Sequence, residues 1–238
     1  MLEMSPQRRH SGPAVPGAVW FRDADTARPA PGLTRAGIVT AAVALLDQRG
    51  EAGLSLRRLA KTLDVHATSL YWHVATRDDL LDLALDEVFG ELDLPHEHTA
   101  DWADDIATYM HDLRGLLLRH PWATALASSR PLLGPNALAR SEFVYTALAS
   151  AGFIGTDLSA AAAAITNLVI GATAAETAWQ HQQQDTARAA VGEHLQTHAE
   201  RYPTLAAHIP VLDEDWDAHF TRSTTFLLEG LAASRPVR

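Results

Sequence analysis

The stretch SLRRLAKTLDVHATSLYWHV, residues 55–74, decides how the chain is read. Ser55 is a residue type that caps helices, and Leu56, Leu59, Ala60 and Leu63 follow it at helical spacing. Asp64 and Val65 break the pattern, and a second helical segment runs from His66 to about His73. Two short helices joined by such a turn form a helix-turn-helix, in which the second helix enters a DNA major groove while the first braces on the backbone. Ala67, Thr68 and Ser69 are small or polar at the start of the second helix and allow close approach to base edges and thymine methyls, whereas Leu70 turns into a core. Arg57, Arg58, Lys61 and Arg77 can reach phosphates, which position a protein without reading sequence. Tyr71 offers a hydroxyl to phosphate, and Trp72 and His73 are candidates for base or backbone contact, with core packing the alternative for Trp72. Ser55 also sets a helix N-terminus where a phosphate can bind.

Outward from this stretch the chain reads as helix after helix. Thr34 caps a helix with Ile38, Ala41, Ala42, Leu45 and Leu46 on one face, ended by Gly50 and Gly53. Thr76 and Asp79 form a Ser/Thr-x-x-acid cap on a helix that runs to about Leu92. Trp102 to Arg119 carries a broad apolar stripe, and Pro121, Pro131 and Pro135 bracket short pieces after it. Further helices are predicted over 136–151, 158–182 and 188–200. Asp213, Glu214 and Asp215 suit the positive end of a last helix carrying Trp216, Phe220, Leu227 and Leu231. With no strand pattern and no repeat, the fold class is all-α: a three-helix head on a larger helical body. The domain reading is a flexible N-terminal arm over 1–32, the helix-turn-helix domain over 33–78 and the body over 79–238.

The 238 residues suffice for two such units, and an apolar share of 47% implies a packed core. The absence of cysteine removes disulfides, thiolate metal sites and a Cys nucleophile, and suits a reducing, cytoplasmic setting. Residues 1–32 hold seven charges and five prolines without an apolar block, so they do not read as a signal peptide. Leu158 to Ala175 is the longest apolar run, but Ser159, Thr166, Asn167, Gly171 and Thr173 interrupt it, so it reads as a buried or interface helix and no membrane is expected. The net charge of -10 is unevenly spread. Residues 34–77 hold six basic and three acidic side chains, whereas 78–238 hold nine against twenty-three. A basic head on an acidic body suits DNA binding with little nonspecific adhesion.

Thr34 to Leu92, and above all Leu70-Tyr71-Trp72-His73-Val74, resembles the DNA-binding head of the TetR family of bacterial repressors, most nearly that of its namesake, the tetracycline repressor. Ser129-Arg130-Pro131 extends a fainter likeness into the body. Position by position, the resemblance implies that Ser55, Arg57, Ala67, Thr68, Ser69, Tyr71, Trp72, His73 and Arg77 touch operator DNA. It also implies a homodimer in which the Ala-rich helix and the last helix pair with their copies, and a small-molecule effector held in each body. Where the tetracycline repressor has a metal-binding His, three residues before its Thr-Arg-Pro, this chain has Leu126, so the expected ligand is metal-free and mostly apolar, and no cofactor is expected.

Candidate pocket residues are Trp102, Tyr109, Met110, Leu113, Leu126, Ser129, Asn136, Phe143, Asn167, Ile170 and Trp179, where polar groups punctuate apolar helix faces. His96 and His98 follow the fourth helix and can line the pocket mouth. Two other readings differ in class. A constitutive DNA-binding regulator needs the head but no hollow body. A metal-dependent helical phosphohydrolase would draw on His96, His98, His111-Asp112 or the i, i+4 pair His194 and His198, but these lack companions at recognisable spacing, and neither a phosphate loop nor a nucleophile elbow is present. The sequence therefore points away from an enzyme.

Overall fold

The computed structural model describes residues 16–21, 33–95, 97–180, 184–208 and 215–235, and among them the chain is helical, without a strand. Thr34 opens the first long helix, α1 (Arg35–Gly53), by accepting the Gly37 N–H on its hydroxyl at 3.0 Å. Gly50 adopts φ +63° and interrupts α1, ending its regular run as the sequence predicts, and only a short last turn follows to Gly53. Two short helices follow, α2 (Leu56–Thr62) and α3 (Ala67–Leu70), and then α4 (Arg77–Gly90). Thr76 and Asp79 cap α4 reciprocally: the Thr76 N–H donates to the Asp79 carboxylate at 3.1 Å, and the Asp79 N–H donates to the Thr76 hydroxyl at 3.0 Å.

Seven more helices complete the described chain: α5 (Trp102–Arg119), α6 (Pro121–Ser129), α7 (Pro135–Ser150), α8 (Gly155–Gln180), α9 (Gln184–Thr197), α10 (Pro203–His208) and α11 (Trp216–Ala233). Asp101 and Asp215 cap α5 and α11, accepting the N–H of Ala103 and Ala218. Asp213 and Glu214 lie outside the described residues. The sequence pattern missed α10 and placed the start of α8 three residues late.

The chain forms two compact units, one of residues 1–90 with 129–138, the other of residues 91–128 with 139–238. The boundary expected after residue 78 therefore moves to the end of α4. The reason is packing: Leu80, Leu81, Ala84 and Val88 of α4 are fully buried, and α4 pairs closely with α1. Burying each of the leucines and the valine contributes about 1.5–3 kcal/mol. Ile38, Ala42 and Leu46 of α1, Leu59 of α2 and Leu70 of α3 complete this core. The arm also departs from expectation at 16–21, where Ala18–Phe21 forms a 3-10 turn on α4 with Val19 buried.

In the second unit, Ile106, Met110, Leu113, Leu116 and Leu117 of α5 are buried with Val144 and Leu148 of α7 and Ile165 and Val169 of α8. Arg114 is buried among them and does not stand alone: it meets Glu176 of α8 at 2.6 Å and Asp217 of α11 at 2.7 Å, and its guanidinium lies over the Phe220 ring. A buried cation is tolerated when paired in this way.

Candidate nucleic-acid interface

Ser55 starts α2 by accepting the Arg58 N–H on its hydroxyl at 3.2 Å. The helix ends on Asp64, which takes the left-handed conformation at φ +52°. The Val65 N–H then reaches the Ala60 carbonyl at 3.0 Å and the Asp64 N–H reaches that of Lys61 at 3.3 Å, which closes the last carbonyls of α2 and turns the chain toward α3. Leu70 and Val74 are buried on either side of the aromatic pair and fix α3 to the core.

That anchoring leaves one face outward. Thr68 is exposed, Ala67 and Ser69 are half-buried, and Tyr71 and Trp72 are 55% and 64% exposed. The choice left open for Trp72 is thereby closed: its indole is outside the core of this chain. Large aromatics held outward beside a small polar run make a surface suited to a partner. His73 is half-buried, and its Nε2 is enclosed without a hydrogen-bond partner among the described residues.

The four basic side chains, grouped together by sequence, separate into two pairs. Arg57 and Lys61 are exposed on α2. Arg58 instead turns its guanidinium back onto the Gly53 carbonyl. Arg77 donates through Nε to the Leu54 carbonyl at 3.2 Å and through an Nη to the Glu51 carbonyl at 2.7 Å, and it meets the Glu51 carboxylate at 3.2 Å. Arg77 thus ties the first turn of α4 to the end of α1 and to Leu54 just past it, and is only partly available to a phosphate. Sequence spacing cannot show this, because the carbonyls that hold it come from the end of α1 and the residue past it, more than twenty residues away.

The residues chosen for a ligand pocket are distributed unevenly. Tyr109, Met110, Leu113, Leu126 and Phe143 are buried, and Trp102, Ile170 and Trp179 are half-buried. Tyr109 and Phe143 bring their ring centroids to 6.2 Å, and His98 stacks on Phe143 at 4.3 Å. Burial pushes the Tyr109 hydroxyl up to about 12, the nearby Arg140 charge opposing. Trp102 packs edge-on against Phe153 and borders an open cleft of about 450 Å³ with Ser150, Ala151 and Arg235. Three choices need correction. Asn167 is exposed on α8, on the side away from buried Ile165 and Val169. Ser129 is exposed in the first unit, and Asn136, also there, gives its amide Nδ2 to Asp86 at 3.2 Å. Asp105, which holds His98 Nδ1 at 3.1 Å, and Arg140 were missed, since their roles come from contacts across the body.

The histidines raised by the hydrolase reading do not converge. His111 is fixed between the Ala107 carbonyl at 2.8 Å and the Thr221 hydroxyl at 3.1 Å, and His194 and His198 lie together on α9 with ring centroids 4.3 Å apart. His96 lies outside the described residues. Among the described residues, no three His, Asp or Glu side chains are grouped to hold a metal.

Comparison with known proteins agrees with this geometry. Residues 38–84 match the model of bacterial regulatory proteins of the tetR family, and residues 94–235 match the tetracyclin repressor-like C-terminal domain. An HTH-type transcriptional regulator of Saccharopolyspora erythraea is 56% identical over 92% of this chain and 93% of its own length. The HTH-type transcriptional repressor DrrR1 of Streptomyces coeruleorubidus is 35% identical over 66% of this chain and 59% of its own. Among solved structures, ActR of Streptomyces coelicolor in complex with actinorhodin superposes with a TM-score of 0.76 at 29% identity, covering 87% of this chain and 98% of that one. With an exposed α3 face on a buried three-helix core, and with both halves matched to one family, this chain belongs to the TetR family and is a transcriptional regulator.

Proposed function

We propose that the chain is a homodimeric repressor that grips a palindromic operator through α2 and α3 and is released by a small, mostly apolar ligand bound in its second unit. The observation that carries the DNA reading is the exposed run of Thr68, Tyr71 and Trp72 on a helix anchored by buried Leu70 and Val74. Arg57 and Lys61, exposed on the preceding helix, supply phosphate contacts, and Ala67, Thr68 and Ser69 face the bases. Tyr71 and His73 take backbone positions beside them, and Ser55, Arg58 and Arg77 fix the start of α2. Repression is favoured by similarity to DrrR1, a repressor.

Dimerisation is supported by α8. Gly155–Trp179 is long and apolar enough to cross a membrane by length and composition, yet only 28% of its most apolar 18-residue stretch is buried within the chain. Its exposed side carries Ala160, Ala163, Gly171, Ala174, Ala175 and Ala178, small residues that let a second helix approach closely. We assign this face, with exposed Phe226 of α11, to the copy of the chain rather than to lipid. Two heads paired in this way must sit about 34–36 Å apart to enter successive major grooves.

Ligand binding is supported by the structure of ActR with actinorhodin. In this chain Phe143, Tyr109, Met110 and Leu113 give the apolar walls, with His98 on Phe143 as a polar edge. Leu126, buried at 3% exposure, leaves no imidazole for a metal chelate at that position. To turn a bound repressor almost fully into a released one, the ligand must favour the released state by roughly 5.5 kcal/mol. The cytoplasm is the setting this role requires.

The test is footprinting on the DNA upstream of the chain's own gene, with wild type and Phe143→Ala. The reading predicts a two-fold symmetric footprint for both proteins and, for wild type only, its loss on adding an aromatic ligand drawn from a screen. An asymmetric or absent footprint contradicts it.

A further inference from the structure

Residues 16–21 are docked on α4 beside the segment 129–138. The chain crosses between its two units three times, after Gly90, after Ser128 and after Leu138. The first crossing ends α4 and the other two bound the segment 129–138, so α4 and this segment are the covalent routes into the head. Both are held by one buried carboxylate on α4. Asp82, 5% exposed, accepts Arg130 on Oδ1 at 2.8 Å and the Gly17 N–H of the arm on Oδ2 at 2.7 Å. Arg130 extends the tie to Asp78 at 2.5 Å, one residue from the Arg77 that holds the Leu54 carbonyl before α2.

Apolar contacts reinforce the tie. Val19 is buried, and Trp20 lines a crevice with Leu85 and Phe89 of α4 and with Pro131, Leu132 and Leu133 of the segment. Gly17 fits because it adopts φ +82°, and a Cβ there would lie 3.2 Å from Leu133 Cδ1. The arm therefore bridges α4 and residues 131–134, and these cannot move apart without breaking a charge-assisted hydrogen bond and exposing Val19.

We propose that residues 17–20 are an intramolecular clamp that locks α4 to the 129–138 segment and so holds the head ready for DNA; release of the clamp loosens the head and weakens DNA binding. The clamp is a regulatory device of the arm itself, and its effect on DNA rests on the function proposed above. Hydrogen exchange and DNA affinity of the full-length chain test it together, in Val19→Asp, which charges the buried contact, and Gly17→Val, which cannot adopt the turn. Phe21→Ala serves as control, since Phe21 is 78% exposed. Circular dichroism first establishes that each variant keeps its helix content.

The expected result is faster exchange at 131–137 and in α4 for both clamp variants but not for the control. DNA affinity should fall about tenfold, the scale of one hydrogen bond to a charged group. Unchanged exchange overturns the docking, and faster exchange with unchanged affinity overturns the control of DNA binding. Exchange needs no DNA, so the two readings fail separately: wild type that binds no DNA contradicts the proposed function and the control claim with it, whatever the exchange shows of the docking.

Discussion

Asp64 is where the turn between α2 and α3 closes, and it does so at φ +52°, a conformation short polar side chains tolerate and branched ones do not. Asp64→Gly should leave stability nearly unchanged, whereas Asp64→Val should cost about 1–2 kcal/mol in urea unfolding. In the proposed function, Thr68 and Arg57, both exposed, divide reading from attachment. Thr68 substitutions should change base preference at one operator position by about 1–3 kcal/mol, while Arg57→Ala should weaken all sequences alike and flatten the salt dependence, both seen by fluorescence anisotropy. The small polar run 67–69 was legible in the sequence because it breaks the apolar pattern around it. The tethering of Arg58 and Arg77 was not, because backbone carbonyls leave no sequence signature.

At the scale of elements, α7 begins on a carboxylate from another helix. Asp86 of α4 accepts the N–H of Ala137 at 2.9 Å and that of Asn136 at 3.3 Å, doing for α7 what a local cap does for α1 and α2. Gly134 is required beside it, since a Cβ there would stand 2.2 Å from Asp86. Asp86→Ala should therefore cost about 1–2 kcal/mol by thermal unfolding, and Gly134→Ala should be destabilising too, although each lies far from the recognition face. Pro135 and Asn136 marked the start of α7 in the sequence, but a cap fifty residues upstream could not be read there. The same limit applied to α4: its amphipathic pattern was plain, its assignment to the head was not, because that depends on packing against α1.

For the whole molecule, pairing through α8 is the element of the proposed mechanism most open to direct test. Nothing lies within 4 Å of a Cβ built on exposed Gly171, so Gly171→Glu is unstrained in a single chain while it charges the outward face. Sedimentation velocity should give a dimer for wild type and a monomer for the variant. The second unit should also show a base-linked weakening. With Tyr109 raised from 10.0 to about 12, folding favours its neutral form, so that contribution is complete below pH 10 and disappears as pH rises toward 12. The loss is on the order of 2 kcal/mol, and Tyr109→Phe should abolish this part of the urea-stability profile.

The basic stretch 34–77 and the acidic remainder of the chain, visible first as a change of charge sign, converge on one measurement: affinity for the DNA upstream of the chain's own gene as a function of salt. If α2 and α3 of two heads bind the backbone together with about 6–10 phosphate contacts, affinity falls by about a thousandfold or more between 50 mM and 200 mM salt, while preference over unrelated DNA persists. Binding that ignores salt, or that never exceeds the affinity for unrelated DNA, would contradict the account.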